Sequence, residues 1–422
     1  MQSTMLNTFD RLPKKVLHVL NSSAGGAALR TLGLIGAFRE QGIESCAVCH
    51  DAGSAQEREA LRELTDGKVC FTTLYWWNKK IRAPRWKRPF SEIKQLLRTG
   101  WKRGSARLVT EFAARHGVDL IHTNTLLTPE GATAAAELGL PHVWHCRELV
   151  GDQMPYPLPL SKGRLGRYLA THCSKLVANS MATAAPLRPW VPEDLLEVVV
   201  NGIDLTRFQV RQPRSTPQRL VVAMVGSLTS QVKKHLLFVE AAARVNRALP
   251  IEWRIYGHDP SHGGTVRCDR YIDALHDRLA QTRLAERFTW PGFVTDPVAI
   301  MNQIDILVHP ADGESFGRIV VEAMACGLPA VGVRGGGVGE IVVHGETGLL
   351  APVDDAAALA AHIEALVASP QLRQQLGLAG RQRAEQHYSL EACASHMLKV
   401  YEQALERPMS TRLASRHHGI GV

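Results

Sequence analysis

Residues 305–333 read DILVHPADGESFGRIVVEAMACGLPAVGV. An apolar run, DILVHP, leads into a turn rich in Pro, Asp, Gly and Ser. GRIVVEAMAC then reads as a helix closed by Gly327, and LPAVGV reads as a second strand. Strand, turn, helix and strand in this order form the unit from which parallel sheets are built. The same rhythm extends upstream through LVVAMVG (220–226), a helix near 235–248, IEWRIYG (251–257) and FTWPG (288–292). It also fills the first half of the chain. KVLHVL (15–20) precedes Gly25, Gly26 and a helical run to Glu40, followed by a strand near 44–49. Further strands fit VCFTTL (69–74), VDLIHT (118–123), PHVWHC (141–146), KLVANS (175–180) and LEVVV (196–200).

Between the halves, LTRFQVRQPRSTPQR is polar, holds two prolines and lacks apolar periodicity. The expected organisation is an α/β domain over 1–204, a linker over 205–219 and a second α/β domain over 220–389. A helix over 390–406 is expected to cross back to the first domain, and a flexible tail to follow over 407–422. Each domain is expected to be doubly wound and Rossmann-like, with ligands at the carboxyl ends of its strands and a cleft where the two face each other.

The chain has 422 residues, 45% hydrophobic and 21% charged, which fits a globular protein of two domains. Its net charge of +9 is concentrated in one place. The segment 75–103, Tyr75 to Arg103, carries ten Lys/Arg against the single acid Glu92, and its first part reads YWWNKKIRAPRWKRPF. The eight cysteines are scattered, as in a reduced chain. Cys46-Ala-Val-Cys49-His50 matches a haem-attachment spacing but lies in a strand-like stretch, GIESCAVCH, and reads as two buried thiols. No apolar run reaches the ~18–20 residues of a membrane span, and the N-terminus lacks the apolar core of a secretion signal. These features point to a cytoplasmic protein whose membrane contact, if any, is peripheral.

The densest chemistry lies between residues 312 and 350. Glu314 precedes the helix and Glu322 lies within it; eight residues of helix rise about 12 Å, so the two carboxylates suit opposite ends of an elongated ligand. Between them the amides of Phe316, Gly317, Arg318 and Ile319 form a helix N-terminus, a ready anion site. Carboxylate, anion cradle and carboxylate in that order suit a sugar–diphosphate–nucleoside. Gly335, Gly336 and Gly337 open a further helix and are expected to let backbone approach a ligand. Lys233 and Lys234 follow the strand end Val225-Gly226-Ser227 and are placed to neutralise phosphate.

Taken together, these residues resemble family 4 of the retaining glycosyltransferases, of the bacterial cell-surface glycan type and with the GT-B fold. Glu314 and Glu322 match the family's E-x7-E motif within ESFGRIVVEAMACGLPAV. VVVNGIDLTRF (198–208) resembles its hinge phrase, KLVANS the strand before it, Gly25-Gly26 its glycine-rich turn, and VWHCRE (143–148) a strand end bearing a histidine. The resemblance covers roughly residues 15–405.

What it implies is a hexosyltransferase drawing on a nucleotide-diphosphate sugar as co-substrate, with no cofactor and no metal. Glu314 would contact the donor hexose and Glu322 the ribose. Phe316, Gly317, Arg318 and Ile319 would hold sugar and diphosphate, with Gly25 and Gly26 facing the diphosphate. Lys233 or Lys234 would pair with phosphate, and backbone near Phe293 and Val294 would meet the base. His145 would stand across the cleft near acceptor and donor sugar. One departure is Ser227, where many relatives place an arginine. No D-x-D triplet occurs, so lysine, helix termini and glycine amides would meet the phosphate charge.

The implied acceptor is a glycan or a lipid-linked glycan in cell-surface polysaccharide or lipopolysaccharide synthesis. On that reading the segment 75–103 is a foot on an anionic membrane, since Trp and Tyr favour headgroups and Lys and Arg anionic lipid. The alternatives are a nucleic-acid-binding protein using that surface, since basic and aromatic side chains suit single strands, or a non-catalytic GT-B protein. His122, ending LIHT, and His309, ending LVHP, read as structural, and Arg147 and Glu148 as a mutual pair. A nucleotide-dependent oxidoreductase is disfavoured because no G-x-G-x-x-G follows a strand.

Overall fold

A computed structural model describes residues 12–21, 25–50, 55–74, 104–150, 162–210, 219–228, 231–257 and 266–407. The basic–aromatic segment 75–103 and the tail beyond 407 lie outside the described residues. The chain divides into two compact units, one of Met1–Gly202 with Leu390–Val422, the other of Ile203–Ser389.

The strands of the first unit are β1 (Lys15–Leu20), β2 (Glu44–His50), β3 (Val69–Thr72), β4 (Leu120–Thr123), β5 (His142–Cys146), β6 (Lys175–Ala178) and β7 (Leu196–Val198). They form a parallel sheet in the order β3-β2-β1-β4-β5-β6-β7. Burial on both faces explains why these strands read as unbroken apolar runs and not as alternating ones. The helices are α1 (Gly25–Glu40), α2 (Ala55–Leu64), α3 (residues 104–116), α4 (Glu130–Leu138), α5 (Lys162–His172) and α6 (Met181–Ala184). Strand order reverses between β1 and β4, the position at which a parallel sheet opens a crevice at its carboxyl edge.

In the second unit, β8 (Leu220–Val225), β9 (Ile251–Tyr256), β10 (Phe288–Gly292), β11 (Ile306–His309), β12 (Ala330–Val333) and β13 (Leu349–Ala351) pair in the order β10-β9-β8-β11-β12-β13. All of its pairings are parallel. Its helices are α7 (His235–Arg244), α8 (Val266–Gln281), α9 (Pro297–Met301), α10 (Arg318–Ala325), α11 (Val338–Ile341), α12 (Ala356–Ala368) and α13 (Pro370–His387). The core joins Val222, Met224 and Phe238 to Trp253, Ile306, Val308 and Ile363. Reversal falls between β8 and β11, so the glycine-ended β8 and the residues after β11 share the crevice edge. Strand β13 is an addition to the sequence reading: three residues are too few for a periodic signal, and the strand exists because it pairs with β12.

The described residues 203–208 are tied to the second unit. The Ile203 amide donates to the Tyr388 carbonyl at 2.9 Å, Phe208 is buried, and Arg381 donates to the carbonyls of Phe208 and Ala325. These contacts belong to the second unit. The last helix, α14 (Leu390–Leu405), belongs to the first. Cys393, Ala394, Met397, Val400, Tyr401 and Ala404 recur at helical spacing and are buried with Val16, Leu34, Phe38, Val143 and Val177.

Candidate active site

Strand β11 ends at His309, and the chain turns through Asp312 and Glu314 before α10 begins at Arg318. The N-cap, Gly317, has φ 103°, a conformation strained for any residue with a Cβ, and no side chain caps the first turn. The Val320 amide donates to the Gly317 carbonyl at 2.9 Å, and the amides of Arg318 and Ile319 are left to an incoming acceptor. Gly336 and Gly337 also have an internal explanation. A Cβ on Gly336 would lie 2.5 Å from the Glu314 carbonyl oxygen, and one on Gly337 would lie 2.5 Å from the Phe316 Cα. The glycine run allows two backbone segments to touch, and the Gly337 amide donates to the Glu314 carbonyl at 2.8 Å. Phe316 is buried with its ring edge toward Tyr388. Ile319 follows Arg318 in the same first turn.

The carboxylates sit in two different charge environments. Glu314 is paired with the Lys233 ammonium and lies 3.4 Å from the His309 Nε2. Burial would raise its pKa, but the Lys233 charge and the His309 ring outweigh that and hold the carboxyl well below the usual range. His309 itself is fully buried, which lowers its pKa although Glu314 opposes the shift. Glu322 is buried one helical turn above Arg318 and takes an ion pair from its Nε at 2.6 Å. His309, read from sequence as structural, therefore stands against a candidate catalytic carboxylate. Only its place at a strand end signalled this.

The two adjacent lysines separate cleanly. Lys233 ends a 3-10 turn, Gln231–Lys233, and reaches Glu314. Lys234 takes φ 56° and turns away to Asp312 at 2.9 Å and Asp354 at 2.7 Å. The strand end Gly226 is shielded by the Lys233 stem, since a Cβ there would meet its Cγ at 3.1 Å. Val294 follows Gly292, the last residue of β10, and the intervening Phe293 is exposed.

At the carboxyl edge of the first unit, Gly25 and Gly26 open α1. His145 lies near the end of β5, almost fully buried, and its ring stacks on His122 at 5.5 Å with an interplanar angle of 6°. His122 in turn contacts His18 at 5.5 Å and shares a 2.7 Å hydrogen bond with the Tyr401 hydroxyl through its Nδ1. Three strands thus contribute one buried histidine column. Arg147 and Glu148 do not pair through their side chains as the sequence reading held. The Arg147 guanidinium, buried, donates to Asn201 Oδ1 at 2.7 Å and Asn124 Oδ1 at 3.1 Å. Burial brings its pKa down to about 10. The Glu148 carboxylate accepts from the amides of Leu126 and Arg147 and the hydroxyl of Thr125. Asn201 opens the hinge phrase NGID already singled out in the sequence, whereas Asn124 carried no motif. Cys46 and Cys49 are buried thiols outside any disulfide, with burial pushing the Cys46 thiol up to about 11, which fits the reading of inert thiols.

The profile of Glycosyltransferase Family 4 matches residues 24–207, and that of Glycosyl transferases group 1 matches residues 219–369. A D-inositol 3-phosphate glycosyltransferase of Rhodococcus erythropolis is 28% identical over 301 residues, covering 69% of this chain and 64% of that protein. A glycogen synthase of Mycobacterium tuberculosis is 31% identical over 232 residues, covering 53% of each. The chain thus spans less than two thirds of the length of these two relatives. Among solved structures, HepE of Anabaena in complex with UDP and glucose superposes with a TM-score of 0.70 at 21% identity, covering 92% of this chain and 99% of that one. Sucrose-phosphate synthase of Thermosynechococcus elongatus gives 0.69 at 21% identity, covering 93% and 99%. These likenesses show a shared fold, the GT-B arrangement of two parallel-sheet units. With one profile on each unit and the E-x7-E pair on α10 and its approach, the chain belongs to family 4 of the glycosyltransferases.

Proposed function

We propose that this chain is a retaining hexosyltransferase that takes its sugar from a nucleotide-diphosphate donor. The observation that carries the reading is the Lys233–Glu314–His309 cluster beside the uncapped start of α10. A diphosphate entering there meets the Lys233 ammonium and the amides of the first turn, which together neutralise charge without reorganisation. Lys233 is held by Glu314 before the donor arrives, so its stem is already ordered and little side-chain entropy remains to be lost. Glu314, kept ionised, is suited to accept hydrogen bonds from hexose hydroxyls or to stabilise positive charge growing at the anomeric carbon. As the glycosidic bond to the diphosphate breaks, the leaving oxygen gains negative charge, and the same donors stabilise it.

In this reading Glu322 takes the ribose hydroxyls, with Arg318 restraining its carboxylate, while Phe316, Gly317, Arg318 and Ile319 supply the cradle. The backbone at Val294 meets the base, Gly25 and Gly26 serve the diphosphate, and His145 serves the acceptor. Lys234 stabilises the loop that carries Lys233. The names of the relatives support glycosyl transfer, and HepE supports a nucleotide-sugar donor through the UDP and glucose in its complex. The acceptor is a glycan or lipid-linked glycan in cell-surface polysaccharide synthesis, reached from the cytoplasmic side of an anionic membrane through the segment 75–103. No helix among the described residues is long and apolar enough to cross a membrane, which fits a peripheral enzyme.

Thermal-shift screening against UDP-, GDP- and ADP-sugars tests the donor class, because a ligand of the folded state raises the melting temperature. The matching donor should stabilise wild type and fail to stabilise Lys233→Ala. Glu314→Gln should retain donor binding and lose turnover by orders of magnitude. Near wild-type transfer by Glu314→Gln would sink the assignment.

A further inference from the structure

The first unit carries a second surface, centred on α5, whose composition the transferase chemistry does not use. Helix α5, KGRLGRYLATH, contains no acidic residue. Its inward side is Leu165, Gly166, Leu169 and His172, all buried, while Lys162, Arg164 and Arg167 are exposed. Gly163 and Gly166 are the reason Trp190 can lie on this helix. A Cβ on Gly163 would sit 3.0 Å from the indole ring, and one on Gly166 would sit 2.2 Å from the Trp190 Cβ. The indole therefore rests against bare backbone, yet Trp190 remains 47% exposed. Four residues after Gly163, Arg167 lies only about 40° round the helix from it and so flanks the tryptophan, while Arg164 lies further round the exposed side.

The same surface extends onto the turn Arg188–Trp190 and the start of α6. Arg188 is exposed and reaches the Met181 sulfur at 3.5 Å, and Met181 is 46% exposed. Among the described residues none of Lys162, Arg164, Arg167 and Arg188 makes an ion pair. The acid nearest before α5 in sequence is Asp152, outside the described residues; those nearest after it are Glu193 and Asp194, and Asp194 is already neutralised by Arg407 at 2.6 Å. Unpaired cations around an amphipathic indole held flat and half-exposed, next to an exposed thioether, match the headgroup layer of an anionic bilayer. A single-stranded nucleic acid needs aromatic faces for successive bases, and here one indole has one face covered.

We propose that the α5–Trp190 surface is a docking face for anionic phospholipid, separate from the segment 75–103. It rests on the reading of a peripheral enzyme only in the kind of partner, and the test separates the two. Sedimentation with vesicles of phosphatidylcholine and phosphatidylglycerol compares wild type, Lys162→Gln/Arg164→Gln/Arg167→Gln, and Lys79→Gln/Lys80→Gln/Arg85→Gln/Lys87→Gln. All three first substitutions are at exposed positions, so the melting temperature should hold. Removing three cations near an anionic surface should weaken vesicle binding roughly 100-fold, with no change on pure phosphatidylcholine. Trp190→Ala should weaken it further if its melting temperature allows the comparison. Loss only in the 79–87 variant would overturn the α5 surface and keep the other foot. Loss only in the α5 variant would support this proposal and remove the other foot. A wild type that ignores anionic vesicles, or an α5 variant that loses poly-uridine and not vesicles, overturns the proposal.

Discussion

Acidification should unfold the first unit before its carboxylates titrate. His18 is fully buried; burial, then the Arg147 charge, lower its pKa to about 3. His142 is lowered to about 4 by burial, against the opposing hydrogen bond from its Nδ1 to the His172 carbonyl. His122 is held well below the ordinary histidine range by burial, then by His18, Arg147 and His142. In the unfolded chain each would bind its proton near pH 6.5. The folded state binds fewer protons, so stability is complete above about pH 6.5 and falls as the pH drops toward the folded values. Between pH 6.5 and 5.0 His18 and His142 each remove roughly 1–2 kcal/mol, and His122 adds to the loss in the same direction. Total stability is typically only 5–15 kcal/mol, so the loss is large. Urea unfolding at pH 6.5, 5.75 and 5.0, read by deuterium-pulse labelling of peptides from β1, β4 and β5, isolates this unit. The slope should correspond to about two protons or more taken up on unfolding, and to about one fewer in His18→Gln. A change below about 1 kcal/mol across this range, or an unchanged slope in the variant, would refute the burial argument.

Other expectations follow from single contacts. Gly337→Ala places a methyl 2.5 Å from Phe316 backbone, where nothing flexible can yield. It should lower stability by roughly 1–3 kcal/mol in urea unfolding and weaken donor-induced stabilisation. Lys234→Ala breaks the links to Asp312 and Asp354, so it should lower the melting temperature while keeping the donor-dependent shift that Lys233→Ala loses. Tyr401→Phe deletes the 2.7 Å partner of the buried His122. It should cost about 1–3 kcal/mol, read as faster deuterium exchange in α14 and β4.

Legibility in the sequence tracked periodicity and local motif. Strands β1, β8 and β11 were visible because burial on both faces demands unbroken apolar runs, and α14 because its buried residues recur at helical spacing. Strand β13 escaped because its three residues exist as a strand only through pairing with β12. The glycines at 335–337 were visible as a motif, but their reason, contact between two backbone segments, was not.

The sequence alone determined the α/β class, two parallel-sheet units and the ordered motifs of the glycosyltransferase family, because each is written in neighbouring residues. Only the tertiary structure decided which lysine meets Glu314, that His309 stands behind it, and that Arg147 turns to Asn124 and Asn201 instead of Glu148. Those outcomes depend on groups from distant parts of the chain competing for the same charge. The αL turn at Lys234 illustrates the cause: one backbone angle sends two adjacent, chemically identical side chains to different partners.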